Sequence, residues 1–285
     1  MENHLPDHPP LPSSFPEKVL SEETLPERPV PKSKKGIFWS ILSLLGFLLL
    51  KGKSVLIFLK FGKFALTAVT MVTSIWVYAL FWGWYFALGF VILIFIHEMG
   101  HAAAMRIKGI RAGAPVFIPF FGAMIALKDQ PQNARIEAYI AFGGPLAGAI
   151  ASGICFYFFQ ITQNHLFLAL AYTGFFMNLF NLIPMSPLDG GRIVTAISIK
   201  LWGIGLIMTL LLFMKTYNVL LLLVLLMGGM RFWQVYKEKE NLSSGYYQVS
   251  SSFRWKMSLA YFGLIAYLGY MSIESLNLLN PISVR

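Results

Sequence analysis

The sequence predicts an all-α polytopic membrane protein of about six to seven transmembrane helices, with a re-entrant β-hairpin among them. Three observations carry this expectation. First, of 285 residues 56% are hydrophobic and only 13% charged, with a mean hydropathy of +0.64; a soluble domain has about 25% charged residues. Second, the chain contains long runs without a charge: residues 64–96 have none, and 138–188 have none apart from a neutral His165. Third, the net charge of +10 is not spread evenly. Lys and Arg gather at the ends of apolar runs, as they do in cytoplasmic loops. That placement explains the basic balance better than nucleic-acid binding does, and no nucleic-acid partner is expected.

Residues 1–36 hold eight of the fifteen prolines, with Ser and Glu between them. This composition predicts a disordered Pro-rich cytoplasmic tail. It is polar, so no cleavable signal peptide is expected. Residues 37–50 are apolar but shorter than the ~20 residues a span needs, and lysines flank them on both sides (Lys34, Lys35, Lys51, Lys53). The segment 37–63 therefore predicts an interfacial helix followed by a basic linker. Residues 64–236 form the predicted catalytic transmembrane domain.

Within it, 64–96 is too long for one straight span, and Trp82-Gly83-Trp84 marks a hairpin turn. Residues 112–127 are apolar but punctuated by Gly113, Pro115, Pro119 and Gly122. Such a segment cannot be a helix, and non-helical backbone at membrane depth must line a cavity or be buried in protein. It predicts two short strands, 116–118 and 123–127, around Pro-Phe-Phe-Gly. The run 138–188 predicts two helices broken at Gln160–His165, and further apolar runs cover 193–214 and 216–230. Residues 237–285 predict a polar linker and a C-terminal apolar helix. The single cysteine, Cys155, sits in an apolar run and allows no intrachain disulfide.

Acidic residues narrow the chemistry. Of thirteen, only Glu98, Asp129, Glu137 and Asp189 lie between Ser54 and Tyr236. An ionisable group at membrane depth is costly and points to function. Glu98 belongs to His97-Glu98-Met99-Gly100-His101, an H-E-x-x-H sequence. On a helix, the two histidines at i and i+4 share one face and can bind one zinc ion. Glu98 can act as the base for water activated there. A catalytic zinc takes a third protein ligand, drawn from Asp129, Glu137, Asp189 or a distant histidine. Asp189 is best placed, because Pro184, Pro187, Gly190 and Gly191 unwind the chain around it and let it turn toward a metal. Asp129, beside Lys128, reads as a solvated loop charge, and Glu137 as a carboxylate at a helix start. Asn181, eight residues before Asp189, can reach the site. Asn178, a turn earlier, reads as a packing hydrogen bond. Gly144–Gly148 reads as a close helix contact.

At these residues the chain resembles the site-2 protease family of intramembrane zinc metalloproteases. The likeness lies in His97–His101, Asn181-Leu182-Ile183-Pro184, Leu188-Asp189-Gly190-Gly191-Arg192, Gly143–Leu146 and Gly122–Ile125. The resemblance implies His97, His101 and Asp189 as ligands of one Zn2+, Glu98 as the catalytic base and Asn181 beside the active site. It implies pairing of the strand region with an unwound substrate. One departure is Gly148, where many members carry Asn. The expected reaction is hydrolysis of peptide bonds in or near transmembrane segments of membrane proteins. The expected partners are a transmembrane substrate, the lipid bilayer, and a regulatory membrane protein or a second copy of the chain. Two alternatives remain open: a catalytically inactive membrane scaffold, and a membrane metal transporter.

Overall fold

A computed structural model describes residues 52–127, 129–237 and 245–280. The expected tail 1–36 and apolar segment 37–50 lie outside the described residues. Two compact units divide the chain, Met1–Leu56 and Ile57–Arg285; apart from the first turn of α1, the described architecture belongs to the second.

Among the described residues, eight α-helices and one two-stranded sheet follow in order: α1 Gly52–Trp82, α2 Trp84–Ile107, β1 Ala112–Ile118, β2 Gly122–Leu127, α3 Ala134–Thr162, α4 His165–Asn181, α5 Asp189–Ile197, α6 Leu201–Thr216, α7 Val219–Lys237 and, after a 3-10 turn at Gly245–Tyr247, α8 Ser251–Leu279. Among the described residues, four helices are long and apolar enough to cross a membrane: α1, α2, α3 and α8. α6 and most of α7 are shorter apolar helices, and α4 has 17 residues. Among the described residues the expected six to seven spans thus resolve into four full-length helices, two shorter apolar ones and the 17-residue α4. The basic stretch 52–63, expected as a linker, instead continues into the span as the first turns of α1.

The breaks follow local chemistry. Gly83, with φ 80°, separates α1 from α2, a conformation that costs glycine no Cβ clash. Asn133, Asn164 and Ser250 start α3, α4 and α8 by accepting a hydrogen bond from the backbone N–H of Ile136, Leu166 and Phe253, the usual N-cap device. Tyr217, in the left-handed region, ends α6.

β1 and β2 pair antiparallel, with Val116 opposite Met124 and Phe117 opposite Ala123. β1 starts four residues earlier than the sequence predicts. Proline is tolerated in an edge strand, and here the edge is occupied by α1. Thr67 Oγ1 donates to the Pro115 carbonyl at 2.6 Å, and Phe117 N–H donates to Thr70 Oγ1 at 3.2 Å. At the turn, Phe120 N–H donates to the Tyr78 hydroxyl. Arg111 and Asp129 close the open end of the hairpin with two side-chain hydrogen bonds of 3.0 and 2.8 Å. Asp129 is therefore a paired surface charge rather than a merely solvated one.

The helices that build the interior meet through small residues. α2 and α3 cross where Gly100 faces Gly143; a Cβ on Gly100 would overlap the Gly143 carbonyl, and one on Gly143 would crowd the Gly100 carbonyl. This is close packing of the kind small residues permit in membranes. α8 lies against α4, and the buried Tyr261 hydroxyl donates to the Leu182 carbonyl at 2.5 Å. An added methyl at the crossing has nowhere to go, so Gly100→Ala is expected to destabilise the fold by about 1–3 kcal/mol. Gly263→Ala, which meets nothing within 4 Å, serves as the control. Thermal unfolding in detergent should show a lowered midpoint for the first variant and an unchanged one for the second.

Candidate metal centre

The H-E-x-x-H residues occupy the second half of α2, and His97, Glu98 and His101 are 4%, 6% and 6% exposed. Between α4 and α5 the chain leaves helical geometry from Leu182 to Leu188 and passes through a cis Ser186-Pro187 bond. This irregular segment swings Asp189, 9% exposed, onto the face of α2 that carries the histidines. The sequence reading expects Asp189 in unwound backbone with flexible glycines after it. Instead Asp189 is the first residue of α5, where the helix dipole favours its negative charge. The two glycines are helical and serve for space. A Cβ on Gly190 would strike the carbonyls of Leu182 and Ile183, and one on Gly191 would strike the backbone of Met185 and Ser186.

Three donor atoms meet at one point. His97 Nε2 and His101 Nε2 are 3.1 Å apart, and Asp189 Oδ2 is 3.2 Å from each. Among the described residues this is the one group of three or more His, Cys, Asp or Glu side chains arranged to hold a metal. The far side of each imidazole fixes its proton. His101 Nδ1 is 2.8 Å from the Ile140 carbonyl, which can only accept. His97 Nδ1 is 2.7 Å from Asn178 Oδ1, and Asn178 Nδ2 is committed to the Gly174 carbonyl at 2.7 Å. Both Nδ1 atoms therefore donate, and both Nε2 lone pairs point at the centre.

Two bare nitrogens and a carboxylate oxygen packed this closely repel one another unless a cation lies among them. Four ligands placed tetrahedrally at about 2.0–2.1 Å from zinc are about 3.3–3.4 Å apart, close to the spacing found. The donor set of two imidazoles and one carboxylate fits zinc with a position left over.

Glu98 lies on the same helix beside the histidines. Among the described residues its carboxylate accepts no hydrogen bond and makes no ion pair, whereas Glu137 is held by Arg192 at 3.1 Å and by the Tyr246 hydroxyl. A carboxylate without a structural partner next to a metal set is available to take a proton.

Asn178 is the residue that sequence reasoning placed wrongly. Its amide is not general packing: it orients His97 from behind, at 1% exposure. Asn181, expected beside the site, ends α4 three residues later and is half-buried. The signal for Asn178 was available in Gly148. A Cβ there would overlap the Asn178 amide, so the small residue opens the space that the amide fills. Gly144 has the same relation to His101 Nε2.

Residues 85–165 match the family model described as peptidase family M50, a stretch that includes His97, Glu98, His101 and Gly144. The archaeal "Zinc metalloprotease MJ0392" of Methanocaldococcus jannaschii is 35% identical over 133 residues, 44% of this chain and 37% of that protein. The Rip3 protein of Mycobacterium tuberculosis is 33% identical over 109 residues, 35% of this chain and 27% of its own length. The chain thus spans well under half the length of these curated relatives.

Partners behind metal-binding histidines typically contribute 10–100-fold to metal affinity. Asn178→Ala is expected to weaken zinc binding by about that factor, read by competition with a chromophoric chelator, and unchanged affinity would contradict the orienting role. Over residues 85–165 the chain is similar to peptidase family M50, and over a partial stretch it is similar to these metalloprotease relatives.

Proposed function

We propose that the protein is an intramembrane zinc metalloprotease that hydrolyses peptide bonds in or near the transmembrane segments of other membrane proteins. The observation that carries this reading is the convergence of His97 and His101, on a helix apolar enough to span, with Asp189 on one point, and beside them Glu98, unpartnered among the described residues. In this reading the three residues hold one Zn2+ per chain. The ion supplies Lewis acidity toward water and the scissile carbonyl. Glu98 accepts a proton from the attacking water and passes it to the departing amine. Asn178 and the Ile140 carbonyl keep both imidazoles turned so that Nε2 faces inward. Asn181 flanks the substrate path at the end of α4.

A peptide bond within a helix is shielded by its own hydrogen bonds, so the substrate must be extended when it is cut. The hairpin offers an edge for this. β1's outer groups at Pro115 and Phe117 are taken by α1 hydroxyls. The antiparallel alternation then leaves the partners of these residues, Ile125 and Ala123, with outward-facing backbone groups on β2. We assign the substrate strand to the β2 edge, a β-addition mode. The basic flanks of the spans put the N-terminus on the cytoplasmic side. A metal transporter would need ligands along a path through several helices, and the described residues hold one group only. An inactive scaffold would not need an unpaired buried Glu98.

Two outcomes are expected in proteoliposomes carrying a single-span substrate. Glu98→Gln should retain zinc and lose cleavage by at least about 10²-fold; cleavage at the parental rate would refute the role of Glu98. Ile125→Pro, which removes an outward N–H, should raise KM with zinc content unchanged. An unaltered KM would exclude the β2 edge.

A further inference from the structure

A second polar feature stands apart from the metal set. A cavity of about 530 Å³ opens where α3, α5, α6, α7 and the turn before α8 meet, and its walls include Glu137, Ser186, Arg192, Arg231, Tyr246 and Tyr247. Its size is that of a small-ligand site. Its depth in the bilayer follows from the helices that bound it. Glu137 is in the first turn of α3, and Tyr246 and Tyr247 lie just before α8; both helices are full-length spans that start here. The cavity is therefore at a membrane boundary, where tyrosines are favoured.

Among the described residues that line it, the charge balance is positive. Two guanidiniums line the cavity against one carboxylate. Glu137 is engaged on both oxygens: Arg192 Nε donates to Oε1 at 3.1 Å and the Tyr246 hydroxyl donates to Oε2. Burial and that carboxylate also push the Tyr246 phenol well above its ordinary pKa, so it stays a donor. Arg192 makes no other side-chain hydrogen bond among the described residues. Among the described residues Arg231 makes only a long one, from Nη1 to Gln234 at 3.3 Å. The terminal N–H groups of both arginines, with the Ser186 and Tyr247 hydroxyls, thus form a set of donors with little or no acceptor among the described residues. Guanidinium pairs with hydroxyls match a tetrahedral oxyanion, and basic pockets between helices at the membrane edge suit phosphate headgroups.

The geometry points to a binding site for a phosphate-bearing group, a lipid headgroup or a soluble phosphate, between Arg192 and Arg231. The site adjoins the metal centre through α5, where Arg192 lies one turn after Asp189, but its occupancy does not depend on the protein being a protease.

The test has two arms on the full-length protein in neutral detergent. Native mass spectrometry with phosphatidylglycerol against phosphatidylcholine reads the lipid source, and calorimetric titration with inorganic phosphate reads the soluble one. Arg231→Gln is exposed at its site and should not disturb folding; Tyr247→Phe is the milder second variant. Preferential retention of phosphatidylglycerol, reduced at least tenfold by Arg231→Gln and measurably by Tyr247→Phe, is expected for a headgroup site. Binding of inorganic phosphate with the same Arg231 dependence supports the site with a soluble ligand. No preference in either arm, or binding indifferent to both variants, would overturn the proposal.

Discussion

The near-contact of two helix backbones at Gly100 and Gly143 is the constraint on which the rest of the site depends. Because α2 and α3 cross without side chains between them, the Ile140 carbonyl on α3 comes within hydrogen-bond reach of His101 Nδ1. One turn on, Gly144 leaves the volume that the His101 ring occupies, and a further turn on, Gly148 leaves the volume of the Asn178 amide behind His97. A row of small residues on α3 therefore sets the position of both imidazoles. In a bilayer, helix association lacks the hydrophobic drive it has in water, so close van der Waals contact and interhelical hydrogen bonds carry it. The same row serves stability and ligand orientation.

Much of this was legible in the sequence, for a physical reason. Charged groups are so costly at membrane depth that few survive there without a task. That scarcity singled out Glu98 and Asp189, and the i, i+4 spacing paired His97 with His101. The hairpin was legible because prolines and glycines forbid a helix in 112–127. What was not legible is what depends on partners from distant segments. Asn178 and Asn181 are two amides on one helix, and nothing local says which of them reaches His97. The answer lies on α3, in the absence of a side chain at Gly148. Asp189 was found, but its setting was not: the glycines after it read as flexible backbone, while they are helical and needed for clearance against 182–186. The start of α1 at Gly52 was hidden because lysines within 51–63 suggest a linker, although lysine is a good helix former.

The hairpin and α1 show how an open sheet edge is tolerated in an apolar setting. Unpaired backbone groups are expensive there. On β1 two of them, the Pro115 carbonyl and the Phe117 N–H, are satisfied by Thr67 and Thr70, side chains that replace a strand partner. On β2 the outer edge carries no such substitute among the described residues. An open edge on a strand packed against the helix that carries the histidines is the asymmetry that favours substrate pairing at β2. The arginine-lined cavity at the start of α3 and α8 is a separate polar feature, at the membrane boundary.

The central claim is that His97, His101 and Asp189 hold one zinc ion within a spanning helix bundle. X-ray absorption at the zinc edge of the purified protein tests it most directly. The account predicts a first shell of nitrogen and oxygen only, with two imidazole signatures, and loss of one of them in His97→Ala. Absence of zinc, a sulfur ligand, or a spectrum unaltered by His97→Ala would contradict it.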